Sequence, residues 1–396
     1  MSGAGGATLC LNSGSSSVKA ALLLPVDGSA RGAQRRIAEA AVEAIGSDGA
    51  LAWVQPLDSS RRSERRFGGG DHQAAVETVL DLLTPPSATS PRLVAHRVVH
   101  GGARYTAATR VDDEVLAGLE SLVPLAPLHL PSAIAGMRAA ARRWPSIPQV
   151  ACFDTAFHAT LPERARRLPL PDRVLGDELR RYGFHGLSFA HVIWSLGEEV
   201  PRRIVIAHLG NGSSLVAVED GRSIDTTMGF TPTGGVLMGT RSGDLDPGVL
   251  FYLARARGLS SEALEQMCEH ESGLRAIGGS ADMRDLLARA DQDARAELAV
   301  TMFGYAVRKA IGGLAAALGG LDLLVFTGGI GAHAARVRAE ACAGLEALGV
   351  RLDPTQNERD ADRIHGAGGA CAVRVMPADE ETTMAREAQR LLDGRR

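Results

Sequence analysis

Residues 8–24 read Thr8-Leu9-Cys10-Leu11-Asn12-Ser13-Gly14-Ser15-Ser16-Ser17-Val18-Lys19-Ala20-Ala21-Leu22-Leu23-Leu24. Two apolar runs, 8–11 and 18–24, flank a turn of Asn, Ser and Gly, which predicts two strands joined by a small-residue loop. The arrangement returns as an apolar run over 204–209, then Gly210-Asn211-Gly212-Ser213-Ser214, then a second apolar run over 215–218. Aligning Ser16 with Ser213 separates the two copies by close to half of the 396 residues. A strand–turn–strand unit repeated at half-length predicts two similar domains made by duplication; two unrelated hairpin turns would give the same pattern.

Outward from these units, strands alternate with helices, as in α/β domains. Helical patterns cover 71–83, 112–122 and 131–143, the last with Pro131 in its first turn. A strand at 149–153 ends in Asp154, near which a domain junction is expected. In the second half a helix over 294–318 has Asp293 as its N-cap, and a strand over 321–327 follows. A glycine turn and a helix over 332–347 come next, and a last helix over 380–392 would pack back on the first domain. The stretch 27–70, rich in Gly, Ser and Arg, predicts irregular strands and exposed loops. The expected domains are 1–153 with 384–396, and 154–383.

Composition excludes several classes. The chain is 45% hydrophobic and 22% charged, which is globular composition. Forty-three basic residues against 46 acidic ones leave a net charge of -3, so no polybasic field for nucleic acid or anionic lipid is expected. The apolar stretch 310–326 is broken by glycines and Asp322 and reads as core, not as a membrane span. Residues 1–11 carry no basic n-region, so no cleaved secretory signal is expected. Five scattered cysteines without a CxxC pair fit reduced thiols in a cytosolic protein better than disulfides or a zinc site. Only Lys19 and Lys309 are lysines and neither follows a glycine, which excludes a GxxxxGK phosphate loop. Gly210-Asn211-Gly212 and Gly329-Ile330-Gly331 each lack the third glycine of a dinucleotide fingerprint.

Small-residue turns let backbone N–H groups approach phosphate oxygens. Asn12, Ser15, Ser17 and Lys19 add polar groups at the first turn, and His208, Asn211 and Gly212 at the second. Arg97 lies in an apolar strand that ends His100-Gly101-Gly102, and Arg241 in the loop Met238-Gly239-Thr240-Arg241-Ser242-Gly243-Asp244. An arginine in apolar surroundings needs an anion, either a structural carboxylate or a ligand. Asp154 closes a strand, where ligands gather in open α/β sheets, or else N-caps the next segment. His185 sits between Phe184 and Gly186 in a glycine-flanked turn.

In order and combination these motifs resemble the acetate kinase family, within the sugar kinase/actin/Hsp70-like phosphotransferases. Further segments carrying the likeness are Ala126-Pro127-Leu128-His129, Phe153-Asp154-Thr155-Ala156-Phe157-His158, Asp282-Met283-Arg284 and Gly328-Gly329-Ile330-Gly331, so that it spans residues 9 to about 385. The resemblance implies two duplicated ribonuclease H-like (actin-like ATPase) domains with an interdomain cleft, in a homodimer. It implies reversible, Mg²⁺- or Mn²⁺-dependent transfer of phosphate from ATP to acetate. Asp154, His185 and Arg241 would be catalytic, with Asp154 orienting the metal or an arginine. Arg97 would bind the carboxylate, with Val99, Leu128, Phe184 and Pro232 around the methyl group. ATP would meet Lys19, His208, Leu209, Gly210, Asn211, Gly212, Asp282, Met283, Arg284, Gly329, Ile330, Gly331, Ala332 and His333. Asn12 and Glu380 would hold the metal. Departures from the common pattern at Leu130, Leu187-Ser188-Phe189, Thr233-Gly234, Ala332-His333 and Ala378-Asp379 leave acyl-chain length, nucleotide base and dimer contacts open. A kinase for propionate or another short acid is one alternative. An actin- or Hsp70-like ATPase acting on a protein partner is another.

Overall fold

The computed structural model describes residues 6–14, 17–26, 28–29, 31–56, 62–84, 90–198 and 200–394. Ser15 and Ser16 of the first turn lie outside them. The chain forms two compact units, Met1–Ala156 with Asp379–Arg396, and Phe157–Ala378. Residues 379–383 therefore belong with the first unit, where the sequence reading put them with the second, and so do Asp154, Thr155 and Ala156. The reason is the start of the last helix: Cys10 Sγ donates to the Glu381 carbonyl at 3.3 Å, tying that segment to the first strand.

The first unit holds β1 (Thr8–Ser13), β2 (Ser17–Pro25), β3 (Gln34–Glu43), β4 (Leu51–Pro56), β5 (Ser63–Arg66), β6 (Leu93–Val98), β7 (Thr109–Arg110) and β8 (Gln149–Phe153). Their order across the sheet is β5-β4-β3-β2-β1-β6-β8-β7. The second unit holds β9 (Arg203–Leu209), β10 (Ser213–Glu219), β11 (Arg222–Thr226), β12 (Leu323–Thr327) and β13 (Ala372–Val375), in the order β11-β10-β9-β12-β13. In both sheets an initial strand pairs antiparallel with the next on one side and parallel with a later strand on the other. The five strands β3-β2-β1-β6-β8 thus repeat the whole topology of the second sheet. Asn12 faces Lys19 across the first hairpin and Leu209 faces Ser213 across the second.

Burial follows the composition of each strand. β8 and β12 are apolar throughout or nearly so and buried at every residue, as parallel strands covered on both faces must be. The helix His72–Leu83 is capped by Asp71, whose carboxylate accepts from the Ala74 amide, and it buries Val76, Val79, Leu80 and Leu83. The 25-residue helix Ala294–Leu318 starts at Asp293, which accepts from the Arg295 and Ala296 amides, and buries Phe303, Val307, Ile311, Leu314 and Leu318. That spacing is one face of a helix.

Two expectations change. Within 27–70, where irregular strands and exposed loops were expected, Gln34–Glu43, Leu51–Pro56 and Ser63–Arg66 form regular paired strands: Ala38, Ala40, Val42 and Ala52 enter the core, and the intervening arginines and glutamates hid that alternation. The helix expected over 332–347 is two shorter helices, Gly328–His333 and Ala335–Cys342, and the glycine turn is itself the first of them. Among the described residues no helix is long and apolar enough to cross a membrane, and the five cysteines are free thiols.

Candidate active site

In the first unit Arg97 stands near the end of β6 and Asp154 directly after β8, so two parallel neighbours deliver them side by side. Asp154 is 1% exposed and its amide donates to the Val98 carbonyl at 3.0 Å. Its carboxylate accepts from Arg97 Nε at 3.1 Å and from Nη2 at 2.7 Å, a fork-to-carboxylate pairing. Arg97 Nη1 meets Glu380 at 3.3 Å. Glu380 opens the helix Glu380–Leu392, which is N-capped by Asp379 and packs on β1, β6 and β8. Burial pushes the Glu380 carboxyl above its usual range, Arg97 opposes this, and Asp154, Glu381 and Asp379 add to it. One guanidinium thus faces two carboxylates. An electron-rich oxygen set of this kind suits a hard divalent cation, and Asn12, on the neighbouring β1, would add an amide oxygen. Among the described residues no three His, Cys, Asp or Glu side chains form a metal cage, and Mg²⁺ is usually held by one or two carboxylates together with substrate phosphates. Lys19 is exposed on β2.

In the second unit the turn before the helix Gly186–Leu196 is bent sharply. Gly183 has φ 73° and His185 has φ 58°, a left-handed conformation rare outside glycine. His158 fixes this bend. Its Nε2 donates to the Phe184 carbonyl at 3.0 Å, which leaves Nδ1 to accept from the Ser223 hydroxyl at 2.9 Å. A Cβ on Gly183 would lie 2.6 Å from the His158 ring, so glycine is required there. Burial lowers the His158 pKa to about 4 and keeps the ring neutral. His185 Nδ1 bonds the Ser214 hydroxyl at 2.9 Å, and its ring stacks on His208 at 4.3 Å. His208 Nδ1 in turn bonds Ser188 at 2.8 Å. Arg241 projects from its loop with Nη1 3.4 Å from the Pro232 carbonyl. A Cβ on Gly212 would lie 3.3 Å from His185 Nε2 and 3.4 Å from Arg241 Nη1. The second glycine turn, the histidine and the arginine therefore meet at one point.

Beside that point the second unit contains a cavity of about 540 Å³. Gly210, Asn211, Gly329 and Ile330 form part of its wall, and Met283, Leu287 and Ala334 give it an apolar side. Asp282, Arg284 and His333 also line it. Glycine walls and an apolar side with few polar groups suit a flat, partly polar ligand. Not every residue of the expected set is in this lining. Leu209 is buried in the core, and Gly331 packs close to Phe326, Ala207 and Leu209, so both support the wall from behind. Phe184 is 1% exposed, whereas Leu128 is 40% exposed. The polar support from His158, Ser188 and Ser214 was missed by sequence reasoning, since only three-dimensional proximity distinguishes these residues from others of their type.

The model of the acetokinase family matches residues 7–386. An acetate kinase of Streptomyces avermitilis is 42% identical, over 97% of this chain and 97% of its own length. Among solved structures, Porphyromonas gingivalis acetate kinase aligns with a TM-score of 0.86 at 36% identity, covering 98% of this chain and 99% of that one. A propionate kinase from Francisella tularensis aligns with a TM-score of 0.90 at 33% identity, covering 97% and 99%. With that family match running from β1 into the last helix, and relatives this similar over nearly the whole chain, the chain belongs to the acetokinase family.

Proposed function

We propose that this protein transfers the γ-phosphoryl group of ATP, in line and reversibly, to the carboxylate of acetate, giving acetyl phosphate and ADP. The observation that carries this reading is the convergence of Arg241 Nη1 and His185 Nε2 on the bare surface of Gly212, next to the Gly210–Asn211 wall of the cavity. Acetate is already an anion at neutral pH, so no general base is needed to make the nucleophile. The obstacle is repulsion between that anion and the phosphates, and fixed cations and dipoles remove it. Arg241 and His185 would stabilise the phosphoryl group in transit. Arg97 would offer Nη1 to the acid while Asp154 keeps the guanidinium oriented. Val99, Leu128, Phe184 and Pro232 would surround the methyl group.

ATP would occupy the cavity of the second unit, with His208, Gly212 and Ala332 shaping its edge, Leu209 and Gly331 backing its wall, and Lys19 near the phosphates. Asn12 and Glu380 would hold Mg²⁺ (or Mn²⁺), which when bound neutralises phosphate charge. The two units would be ribonuclease H-like domains of the actin type, and the strand order that their sheets share supports that kinship. The free cysteines agree with a cytosolic setting. A homodimer is supported by apolar side chains open to solvent: Phe251 and Tyr252 on the helix Pro247–Arg257, which buries none of its residues, and Leu298, Met302 and Tyr305 on the 25-residue helix.

Propionate is the second acid to consider, because a propionate kinase of Citrobacter rodentium is 42% identical over 97% of the chain. One methylene changes selectivity by only about 1–3 kcal/mol in an apolar pocket. Incubation with ATP, Mg²⁺ and acetate, propionate or butyrate, trapped with hydroxylamine, tests the reading. Acyl hydroxamate should form with a two- or three-carbon acid and be lost in Arg97→Ala. ATP hydrolysis without hydroxamate would mark a partner-driven ATPase instead.

A further inference from the structure

Arg338 is fully buried, with 0% of its surface exposed, in the helix Ala335–Cys342. A buried guanidinium is retained only where its donors are satisfied, and here all five N–H groups have partners. Nε donates to Asn357 Oδ1 at 2.7 Å. Nη1 donates to the carbonyls of Gly331 and Ala332 at 2.9 and 3.0 Å. Nη2 donates to the Asn357 carbonyl and to Asp360 Oδ1, both at 2.6 Å. Asn357 is itself buried, and its Nδ2 donates to the Ala335 carbonyl at 2.9 Å. Asp360, with φ 51°, turns the chain so that its carboxylate reaches inward.

Arg338 does not line the cavity. The two carbonyls it grips belong to residues 331 and 332, and the cavity is lined by Ile330 immediately before them and by His333 and Ala334 immediately after. These carbonyls stand at the C-terminal end of a six-residue helix, where backbone acceptors have no partner inside the helix. An apolar side chain of similar size could fill the space behind the wall, but it would leave those acceptors unsatisfied and the wall free to shift. We propose that Arg338 is a positioning residue: with Asn357 and Asp360 it fixes the Gly328–His333 wall in the shape that accepts the nucleotide. It thereby sets affinity for ATP and not for the acid. The proposal rests on the reading of the cavity as the nucleotide seat.

Calorimetric titration of the wild-type chain, Arg338→Lys and Asp360→Asn with ATP and Mg²⁺, alongside steady-state rates with acetate, tests it. Arg338→Lys keeps the charge but cannot span the carbonyls and Asn357 together, and is expected to weaken ATP binding roughly tenfold or more. Asp360→Asn, at a site 33% exposed and therefore tolerant, should fold as wild type and weaken ATP binding less, by about threefold. In both variants the KM for ATP should rise in step while the KM for acetate stays within about twofold of wild type. Wild-type ATP affinity in the variants, or equal rises in both KM values, overturns the proposal. Should Arg338→Lys fail to fold, Asp360→Asn decides alone. A wild-type chain that binds no ATP overturns the nucleotide reading and this proposal with it.

Discussion

Gly212 contributes by what it lacks. Its missing side chain leaves a surface that both His185 Nε2 and Arg241 Nη1 reach, and a phosphoryl oxygen placed there would meet both. Removing a group that acts on charge developing in the transition state should cost turnover more than binding. Arg241→Ala is therefore expected to lower kcat by roughly 10²-fold or more; near-normal turnover in the purified variant would take Arg241 out of the mechanism. Gly212→Ala puts a methyl between the two groups at distances that need only small shifts, so the protein should keep its unfolding midpoint and lose about tenfold in kcat. Steady-state rates and urea titration on the same preparation separate those two effects.

At the level of elements, the site depends on how strands end. β9 and β12 run parallel, and the chain leaves β12 through Gly328 at φ 77°, where a Cβ would come 2.6 Å from the Leu209 carbonyl at the end of β9. The helix Gly328–His333 can start there only because no side chain separates the two backbones. Gly328→Ala should destabilise the fold by roughly 1–3 kcal/mol, through backbone strain and the close contact together. Because the strain falls on the wall of the cavity, ATP affinity should drop as well, while Asp71→Ala, at the start of a first-unit helix that supplies no residue to that wall, should cost about 1 kcal/mol with ATP affinity kept. Chemical denaturation and calorimetry on the pair of variants test the distinction.

On the scale of the whole molecule, each unit carries a buried neutral histidine. His96 in the first unit bonds Gln149 at 2.6 Å, and burial lowers its pKa to about 4 despite that bond. His158 in the second unit is lowered to about 4 by burial as well. Both values lie below the 6.5 of an unfolded histidine, so the unfolded chain binds more protons as pH falls from 6.5 to 4. The stability they contribute is present in full above pH 6.5 and is lost on acidification, by up to about 3 kcal/mol for each histidine. His96→Gln or His158→Gln should flatten the decline of the urea midpoint between pH 6.5 and 4; an unchanged slope in both would refute the assignment. Assembly is a separate question at this scale. Phe251→Glu combined with Tyr305→Glu should convert the proposed dimer to monomer in light scattering if those exposed rings form its interface.

Much of this protein was readable without coordinates where the deciding chemistry is local. Asp71, Asp112 and Asp293 were each at the edge of a helical pattern and each accepts amide bonds as an N-cap. The two glycine–serine turns betrayed the repeated sheet, because turn residues and strand periodicity are written within a dozen positions. Which of the 41 arginines mattered was only half visible. Arg97 stood out in an apolar strand, but its bond to Asp154 comes from strand pairing and its contact with Glu380 from the return of the last helix to the first unit. Arg338 lies in the run Ala335-Arg336-Val337-Arg338-Ala339, where no local pattern sets it apart, and it is fully buried. Local pattern fixes what a segment can become; partners far apart in the chain, and the burial that sets their charge, exist only once the segments have packed.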